Sequence, residues 1–361
     1  MDPLLREIRR NPLLWLLVFV PIVFIVEHLR PEAGTLLFVL SVLGIVPLAA
    51  LLSHATESVA AKTGDTVGGF LNATLGNLTE LVIALAALRA GQYMLVKASI
   101  TGAIVTNTLF VLGASFLVGG LKHHTQQFNV AGARFQGGQL FLASVALIVP
   151  SFASVGMPML DEAFTQTLSL CLAILLIMIY GLGLLFQLRT HREFFVSAEE
   201  HKEEHPWPLS LALGTLTGVT VLVALVSEVF VASVQEAALA MGMTDAFVGF
   251  VVVALVGGTA EMTTAFSGAR KNRLDLSIGI ALGSATQIAL FVAPVLVLAS
   301  YILGPSHMSL QFWPGAVVMI MLATITANLV SNTGRSAWFV GVLTLGVYFT
   351  FAITLYLLPP R

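Results

Sequence analysis

Charge is what this sequence has least of. Of its 361 residues, 10% are Asp, Glu, Lys or Arg and 57% are apolar, whereas a soluble globular chain carries roughly 25% charged residues. With less than half that share and a mean hydropathy of +0.93, the chain cannot cover a water-facing surface, so its expected surroundings are the lipid bilayer. Basic excess is missing as well: 17 Lys and Arg against 19 Asp and Glu leave a net charge of -2, which excludes nucleic-acid binding through phosphate contacts. The single cysteine, Cys171 in SLCLAILLIMIY, excludes an intramolecular disulfide, a CxxC motif and a Cys/His zinc set. It reads as a small apolar residue facing lipid or a neighbouring helix.

What the sequence does have is long apolar runs. A bilayer core of ~30 Å needs about 20 apolar residues per helix, and eleven such runs are present: 12–28, 33–56, 66–89, 94–119, 135–156, 163–187, 208–230, 245–269, 274–302, 311–332 and 336–358. The first follows Arg6, Arg9 and Arg10 but is succeeded by Glu27-His28-Leu29-Arg30-Pro31. That stretch lacks the small-residue cleavage pattern of a secretory signal, so a retained helix is expected.

Eleven spans place thirteen basic residues on the N-terminal side: Arg6, Arg9, Arg10, Lys62, Lys122, Arg134, Arg189, Arg192, Lys202, Arg270, Lys271, Arg273 and Arg335. The other side holds Arg30, Arg89, Lys97 and Arg361. Cytoplasmic loops collect Lys and Arg, so the N-terminus is expected in the cytoplasm and the C-terminus on the opposite side, in a multi-pass protein of the cell membrane. The longest polar stretch, RTHREFFVSAEEHKEEH from Arg189 to His205, holds five Glu against three basic residues and three His. A solvated linker and a cation-sensing segment are both open readings of it.

The chain also repeats itself. An offset of 181 residues aligns GNLTELVIALAALRAGQ (76–92) with GGTAEMTTAFSGARKNR (257–273) without a gap, placing Gly76 on Gly257, Glu80 on Glu261, Arg89 on Arg270 and Gly102 on Gly283. Five helices separate the copies. An odd interval means that they cross the membrane in opposite directions, the signature of an inverted-topology repeat with its substrate site near the midplane. The predicted fold is an all-α integral membrane protein of eleven transmembrane helices: an N-terminal helix within 1–32, a five-helix repeat over 33–188, an acidic cytoplasmic linker over 189–207 and a second five-helix repeat over 208–361.

Glu80 and Glu261 each sit deep inside an otherwise apolar span, away from the span ends where the other charged residues lie. An ionised carboxylate at mid-bilayer costs roughly 2.5–3.5 kcal/mol even on a forgiving scale, so each must be protonated, paired or bound to a cation. Around them stand oxygen-bearing neighbours: Asn72, Thr74, Asn77, Thr79, Thr259, Thr263 and Thr264, with Ser99, Thr101, Thr106, Asn107, Thr108, Ser284, Thr286 and Gln287 on the helices that follow. Two negative charges among oxygens suit a hard divalent cation such as Ca2+; soft metals would need thiolate or imidazole. One Ca2+ or two protons neutralise the pair, and mutual exclusion of those states is what an antiporter requires. Glu57 and Glu236, about 23 and 25 residues upstream of the paired glutamates, read either as interfacial carboxylates or as groups for gating or ion access.

The stretches PLAALLSHATESVAAKTGDTVGGFLNATLGNLTELVIALAALRAGQYMLVKASITGAIVTNTLFVLG and ARKNRLDLSIGIALGSATQIALFV resemble the two signatures of the cation/proton exchanger (Ca2+/H+ antiporter) family of the calcium/cation antiporter superfamily. The resemblance spans nearly the whole chain. It implies export of Ca2+ from the cytoplasm in exchange for protons, with Glu80 and Glu261 as shared cation and proton sites, supported by Asn107 and Gln287 together with Asn77, Thr79 and Ser284. No cofactor is implied, Ca2+ being cargo, and the oligomeric state is left open, a homo-oligomer included.

Thr79 and Ala260 stand where sodium/calcium exchangers of the same superfamily usually have proline, which favours proton coupling. Gly258 and Met262 replace the family's usual Asn and His, which leaves open a proton-coupled exchanger for Mn2+, Na+ or K+. An intramembrane enzyme using His54, His123 and His124 is a further alternative, though no HExxH motif is present.

Overall fold

The structure is a computed structural model that describes residues 2–63, 65–156, 162–191 and 207–358; most of the acidic linker expected over 189–207 lies outside the described residues. In hydrocarbon every backbone N–H and C=O must be satisfied within the chain, which makes the apolar runs helical whatever their β-branched content. The elements are α1 (Asp2–Arg10), α2 (Pro12–Leu29), α3 (Gly34–Lys62), α4 (Asp65–Leu75), α5 (Leu78–Arg89), α6 (Tyr93–His123), α7 (Val130–Gly156), α8 (Glu162–Thr190), α9 (Leu209–Ala240), α10 (Asp245–Gly257), α11 (Thr259–Arg270), α12 (Leu274–Leu303), α13 (Pro314–Ser331) and α14 (Trp338–Leu357). Asn11 caps the start of α2, its side-chain oxygen accepting from Leu13 N at 3.1 Å.

Among the described residues nine helices are each long and apolar enough to cross a bilayer, and two bent pairs, α4 with α5 and α10 with α11, bring the total to as many as eleven. The expected continuous spans 66–89 and 245–269 are these two pairs, bent by 43° and 60°. An apolar run looks unbroken when only its hydropathy is read. The breaks fall at Gly76-Asn77 and Gly258, where glycine lowers the cost of leaving the helix.

The long helices α3 and α9 pack along each other. Their seam buries Ile45, Leu48, Leu52, Val223, Val226 and Phe230, with Phe38 stacked on Phe230 at 5.3 Å between ring centroids. The broken pairs lean on these two helices. Matching π-helical turns at Thr106–Val111 in α6 and Ile288–Val292 in α12 occupy the same position in the two repeats, so the repeat persists in backbone detail.

The loops gather on two faces. On the face that carries the N-terminus, Lys122 Nζ donates to Arg270 O at 3.0 Å, Gln126 Nε2 to Ala269 O at 2.9 Å and Arg134 Nε to Asn332 Oδ1 at 2.6 Å. A small antiparallel sheet not expected from the sequence, β1 (Thr125–Gln127) with β2 (Arg335–Ala337), ties two loops there. Across the molecule, Arg89 pairs with Glu228 at 3.0 Å, Tyr93 Oη donates to Ser306 O at 2.6 Å and Lys97 Nζ to Gln311 O at 2.7 Å.

On that second face α6 and α10 touch backbone to backbone. A Cβ at Gly102 would strike the backbone of Phe250, and one at Gly249 would meet Ala98 Cβ at 2.5 Å and Leu95 O at 2.9 Å. Small residues permit this approach, as in transmembrane helix pairs generally. Gly102→Leu is therefore expected to destabilise the fold by a few kcal/mol through overpacking, seen as loss of monodisperse protein in size-exclusion chromatography after heating. Arg89→Gln, which removes an ion pair with side chains 62% and 53% exposed, should change stability by about 1 kcal/mol or less.

Candidate functional site

Each helix break exposes two backbone ends to the centre of the protein. Gly76 N closes α4 onto Asn72 O at 2.9 Å, and Gly258 N closes α10 onto Ala254 O at 3.1 Å; α5 and α11 then restart at Leu78 and Thr259. Glu80 and Glu261 each stand third in the new half-helix. There the positive end of the helix dipole favours a carboxylate, while the unpaired carbonyls at the preceding half-helix's end offer oxygens to a cation.

The two breaks face one another. The Glu80 carboxyl lies against the opposing break: a Cβ at Gly257 would come within 3.2 Å of Glu80 Oε1, and one at Gly258 within 3.8 Å of it. Only a residue without a side chain lets that backbone reach the carboxylate. Glu261 interacts electrostatically with both Glu80 and Glu57. The inverted repeat thus brings together two carboxylates that are 181 positions apart.

Amides from both repeats fasten this meeting point. Asn77 Nδ2 donates to Gln287 Oε1 at 2.5 Å, Ser284 Oγ donates to Asn77 Oδ1 at 2.6 Å, and Asn107 Nδ2 donates to Ser284 Oγ at 3.5 Å and to Ala103 O at 3.0 Å. Asn77, Ser284, Asn107 and Gln287 therefore form one chain beside the glutamates. Thr79 is buried next to Glu80 but takes no part in that chain.

Most of the other hydroxyls are turned onto their own helices: Ser99 to Val96 O, Thr101 to Lys97 O, Thr108 to Ile104 O, Thr264 to Ala260 O and Thr286 to Leu282 O. Glu57 accepts from Ser53 Oγ at 3.3 Å near the end of α3, on the N-terminal face. Glu236 sits beside Gly34 at the other end of α3, so Glu57 and Glu236 lie near opposite ends of that helix. Of the histidines, His54 meets Trp207 edge-on at 4.4 Å and His123 Nε2 bonds Arg270 O at 3.0 Å.

Three buried acceptors, Glu80 Oε2, Glu261 Oε2 and Asn107 Oδ1, have no hydrogen-bond partner among the described residues. Buried acceptors left unmatched are expensive, and all three carry negative or partial negative charge. They suit a cation or protons. Among the described residues no three His, Cys, Asp or Glu side chains cluster as a metal site; a cation here would rest on two carboxylates completed by neutral oxygens, as Ca2+ commonly is.

Reading the sequence missed Tyr180, whose Oη donates to Ala73 O at 2.9 Å and so holds the end of α4; its signal was a lone hydroxyl in LLIMIYGLG. It also missed Gln136, whose side-chain Nε2 faces Gly283 and whose backbone carbonyl accepts from Thr286 Oγ1 at 3.5 Å.

The profile of the family described as sodium/calcium exchanger protein matches residues 33–189 and 211–357. The Ca(2+)/H(+) antiporter of Aphanothece halophytica is 38% identical over 359 residues, covering 95% of this chain and 96% of its own length. The Ca(2+)/H(+) antiporter ChaA of Bacillus subtilis is 39% identical over 339 residues, covering 92% and 95%. Among solved structures, native YfkE superposes with a TM-score of 0.84 at 35% identity, covering 96% of this chain and all 100% of that one. The H+/Ca2+ exchanger CAX shares the fold at a TM-score of 0.74 and 15% identity, covering 96% and 91%.

Asn77 holds Gln287 and Ser284 at once, so its removal should loosen the ligand set without changing its charge. Asn77→Ala is expected to weaken Ca2+ binding by about 10-fold, the equivalent of one neutral hydrogen bond at ~1.4 kcal/mol, measured by equilibrium binding of radioactive Ca2+ to the purified protein.

Proposed function

This chain belongs to the sodium/calcium exchanger protein family, and we propose that it is a Ca2+/H+ antiporter in which Glu80 and Glu261 bind one Ca2+ or two protons in turn. The observation that carries the site assignment is the approach of two glutamates, one from each broken helix pair, whose buried Oε2 atoms have no hydrogen-bond partner among the described residues. Whole-chain similarity to proteins described as Ca(2+)/H(+) antiporters supports the choice of ions.

Coupling follows from charge. With Ca2+ or two protons aboard, the site is neutral and free to reorient; empty, it carries two negative charges. At roughly 2.5–3.5 kcal/mol for each charge at mid-bilayer, moving the empty site is opposed by ~5–7 kcal/mol, which makes unloaded turnover rarer by about 10^4-fold to 10^5-fold. Ions therefore cross only in exchange. Alternating access around a fixed midplane site is the motion that inverted repeats support.

The distribution of Lys and Arg, thirteen on the N-terminal side against four on the other, supports a cytoplasmic N-terminus in the cell membrane. Protons entering down their gradient then drive Ca2+ outward, with Glu57 on the cytoplasmic approach to Glu261. The process needs no covalent step and no cofactor.

A second reading, exchange of protons for Mn2+, Na+ or K+, is favoured by Gly258. It occupies the repeat position of Asn77, so the second repeat supplies no matching amide to the site. Competition of each ion against radioactive Ca2+ uptake separates the two readings; a site that Mn2+, Na+ and K+ leave undisturbed removes the second.

In inverted membrane vesicles holding a proton gradient, Glu80→Gln and Glu261→Gln are each expected to abolish Ca2+-dependent dissipation of the gradient; full transport by both variants would overturn the assignment. Protons and Ca2+ contend for the same oxygens, so acidification weakens Ca2+ binding. With two protons displaced per Ca2+, apparent affinity should fall by up to about 100-fold per unit of decreasing pH, measured as Ca2+ flux against pH in proteoliposomes. A dependence of opposite sign would contradict competition.

A further inference from the structure

Each repeat ends on a helix that carries a buried tyrosine, Tyr180 on α8 and Tyr348 on α14. The 181-residue offset does not relate them; applied to Tyr180 it falls on Arg361, beyond α14. Their contacts nevertheless make them equivalent. Tyr180 stacks on Phe291 at 5.1 Å between ring centroids, and Tyr348 packs on Phe110 at 5.2 Å. Phe110 and Phe291 do obey the offset, and they occupy the matching π-helical turns of α6 and α12. Each ring thus rests on the other repeat's turn, close in sequence to Asn107 or Gln287 of the amide chain.

The hydroxyls depart from this symmetry. Tyr348 Oη accepts from Thr106 Oγ1 at 3.4 Å, a long contact, whereas Tyr180 Oη donates to Ala73 O at 2.9 Å. The repeat equivalent of Ala73 is Ala254, and Ala254 O is satisfied by its own chain, accepting from Gly258 N at 3.1 Å. In the first break the residue in the place of Gly258 is Asn77. The Tyr180 phenol therefore sits on the acceptor that the Asn77 N–H would take if the first break were closed like the second. The backbone is turned accordingly, with φ −101° and ψ 30° at Asn77 against φ −79° and ψ 13° at Gly258. From this turned backbone the Asn77 side chain bridges Gln287 and Ser284.

We propose that Tyr180 is a positioning residue of the cation site, a role that rests on the reading of Glu80 and Glu261 as the Ca2+ site. By satisfying Ala73 O from α8, its hydroxyl keeps the Asn77 N–H out of the helical bond and so holds the Asn77 amide on Gln287 and Ser284. A buried carbonyl left unsatisfied is costly. Without the phenol, the Asn77 N–H is the donor placed in sequence to close on Ala73 O, and the rotation that supplies it withdraws the amide from its partners. Tyr348 has no such hold, because Gly258 already closes the second break.

Equilibrium binding of radioactive Ca2+ to the purified protein tests this. Tyr180→Phe keeps the ring on Phe291 and should weaken binding by about 10-fold, the loss expected for Asn77→Ala, while Tyr348→Phe should stay within about 2-fold of the parent. Because Tyr180 acts through Asn77, the two losses should not add: Tyr180→Phe combined with Asn77→Ala should bind within about 2-fold of Asn77→Ala alone. A combined loss of about 100-fold, the product of two independent effects, would overturn the proposal. Parental affinity in Tyr180→Phe would overturn it as well. Replacing Tyr180 with 4-aminophenylalanine returns an N–H donor to the same end of the ring and should restore binding to within about 3-fold of the parent. A variant that folds but stays as weak as Tyr180→Phe would show that the hydroxyl's bond to Ala73 is not what positions the site. Undiminished Ca2+ binding by Glu80→Gln and Glu261→Gln would count against the site itself, whereas an unaffected Tyr180→Phe in a protein whose glutamate variants lose Ca2+ would count only against the tyrosine.

Discussion

Everything in this protein is arranged around two carboxylates that hydrocarbon does not tolerate as free charges. Glu80 and Glu261 have buried Oε2 atoms that no Lys or Arg among the described residues pairs with, each at the start of a half-helix whose dipole favours a negative group. In the proposed reading, the remaining compensation comes from ions in transit. This constraint explains why both spans are broken: a continuous helix would satisfy its own backbone and leave no oxygen for a cation, whereas a break frees carbonyls at the midplane. It also explains why the carboxylates meet across Gly257 and Gly258, where a side chain would hold the opposing backbone away from Glu80.

The repeat supplies the symmetry of the site, and departures from the repeat supply its particular chemistry. Asn77 bridges Ser284 and Gln287, while its counterpart Gly258 has no side chain to offer. The site is thus built from one amide-bearing break and one bare break. Likewise Arg89 finds Glu228 on one face, but the matching region of α3 around Ala49 is apolar and offers Arg270 no such partner. An exchanger of perfectly equivalent halves would have equal access from both sides; these differences give the two faces different energies.

Much of the architecture was legible before any coordinates. Eleven apolar runs, the thirteen-to-four division of basic residues and the 181-residue repeat led to the inverted arrangement, because a bilayer dictates span length and charge placement strongly. The glutamate pair was legible because a carboxylate is conspicuous in an apolar run. Supporting residues were less so. Ser99, Thr101, Thr108, Thr264 and Thr286 look like ligands in one dimension, yet they satisfy their own helix backbone. Tyr180 and Gln136 looked like span residues and lie beside the site.

By itself, then, the sequence determined that this is a membrane-spanning inverted repeat with two carboxylates in its apolar spans, because hydropathy, charge and periodicity are properties of the chain. Tertiary structure alone decided where the helices bend, that Glu57 and Glu236 lie near opposite ends of α3, and where helices touch backbone to backbone. A bend depends on what the far side of the helix packs against. The close backbone contact of α6 with α10 at Gly102 and Gly249 depends on how two distant segments are folded together, which no local pattern in the chain displays.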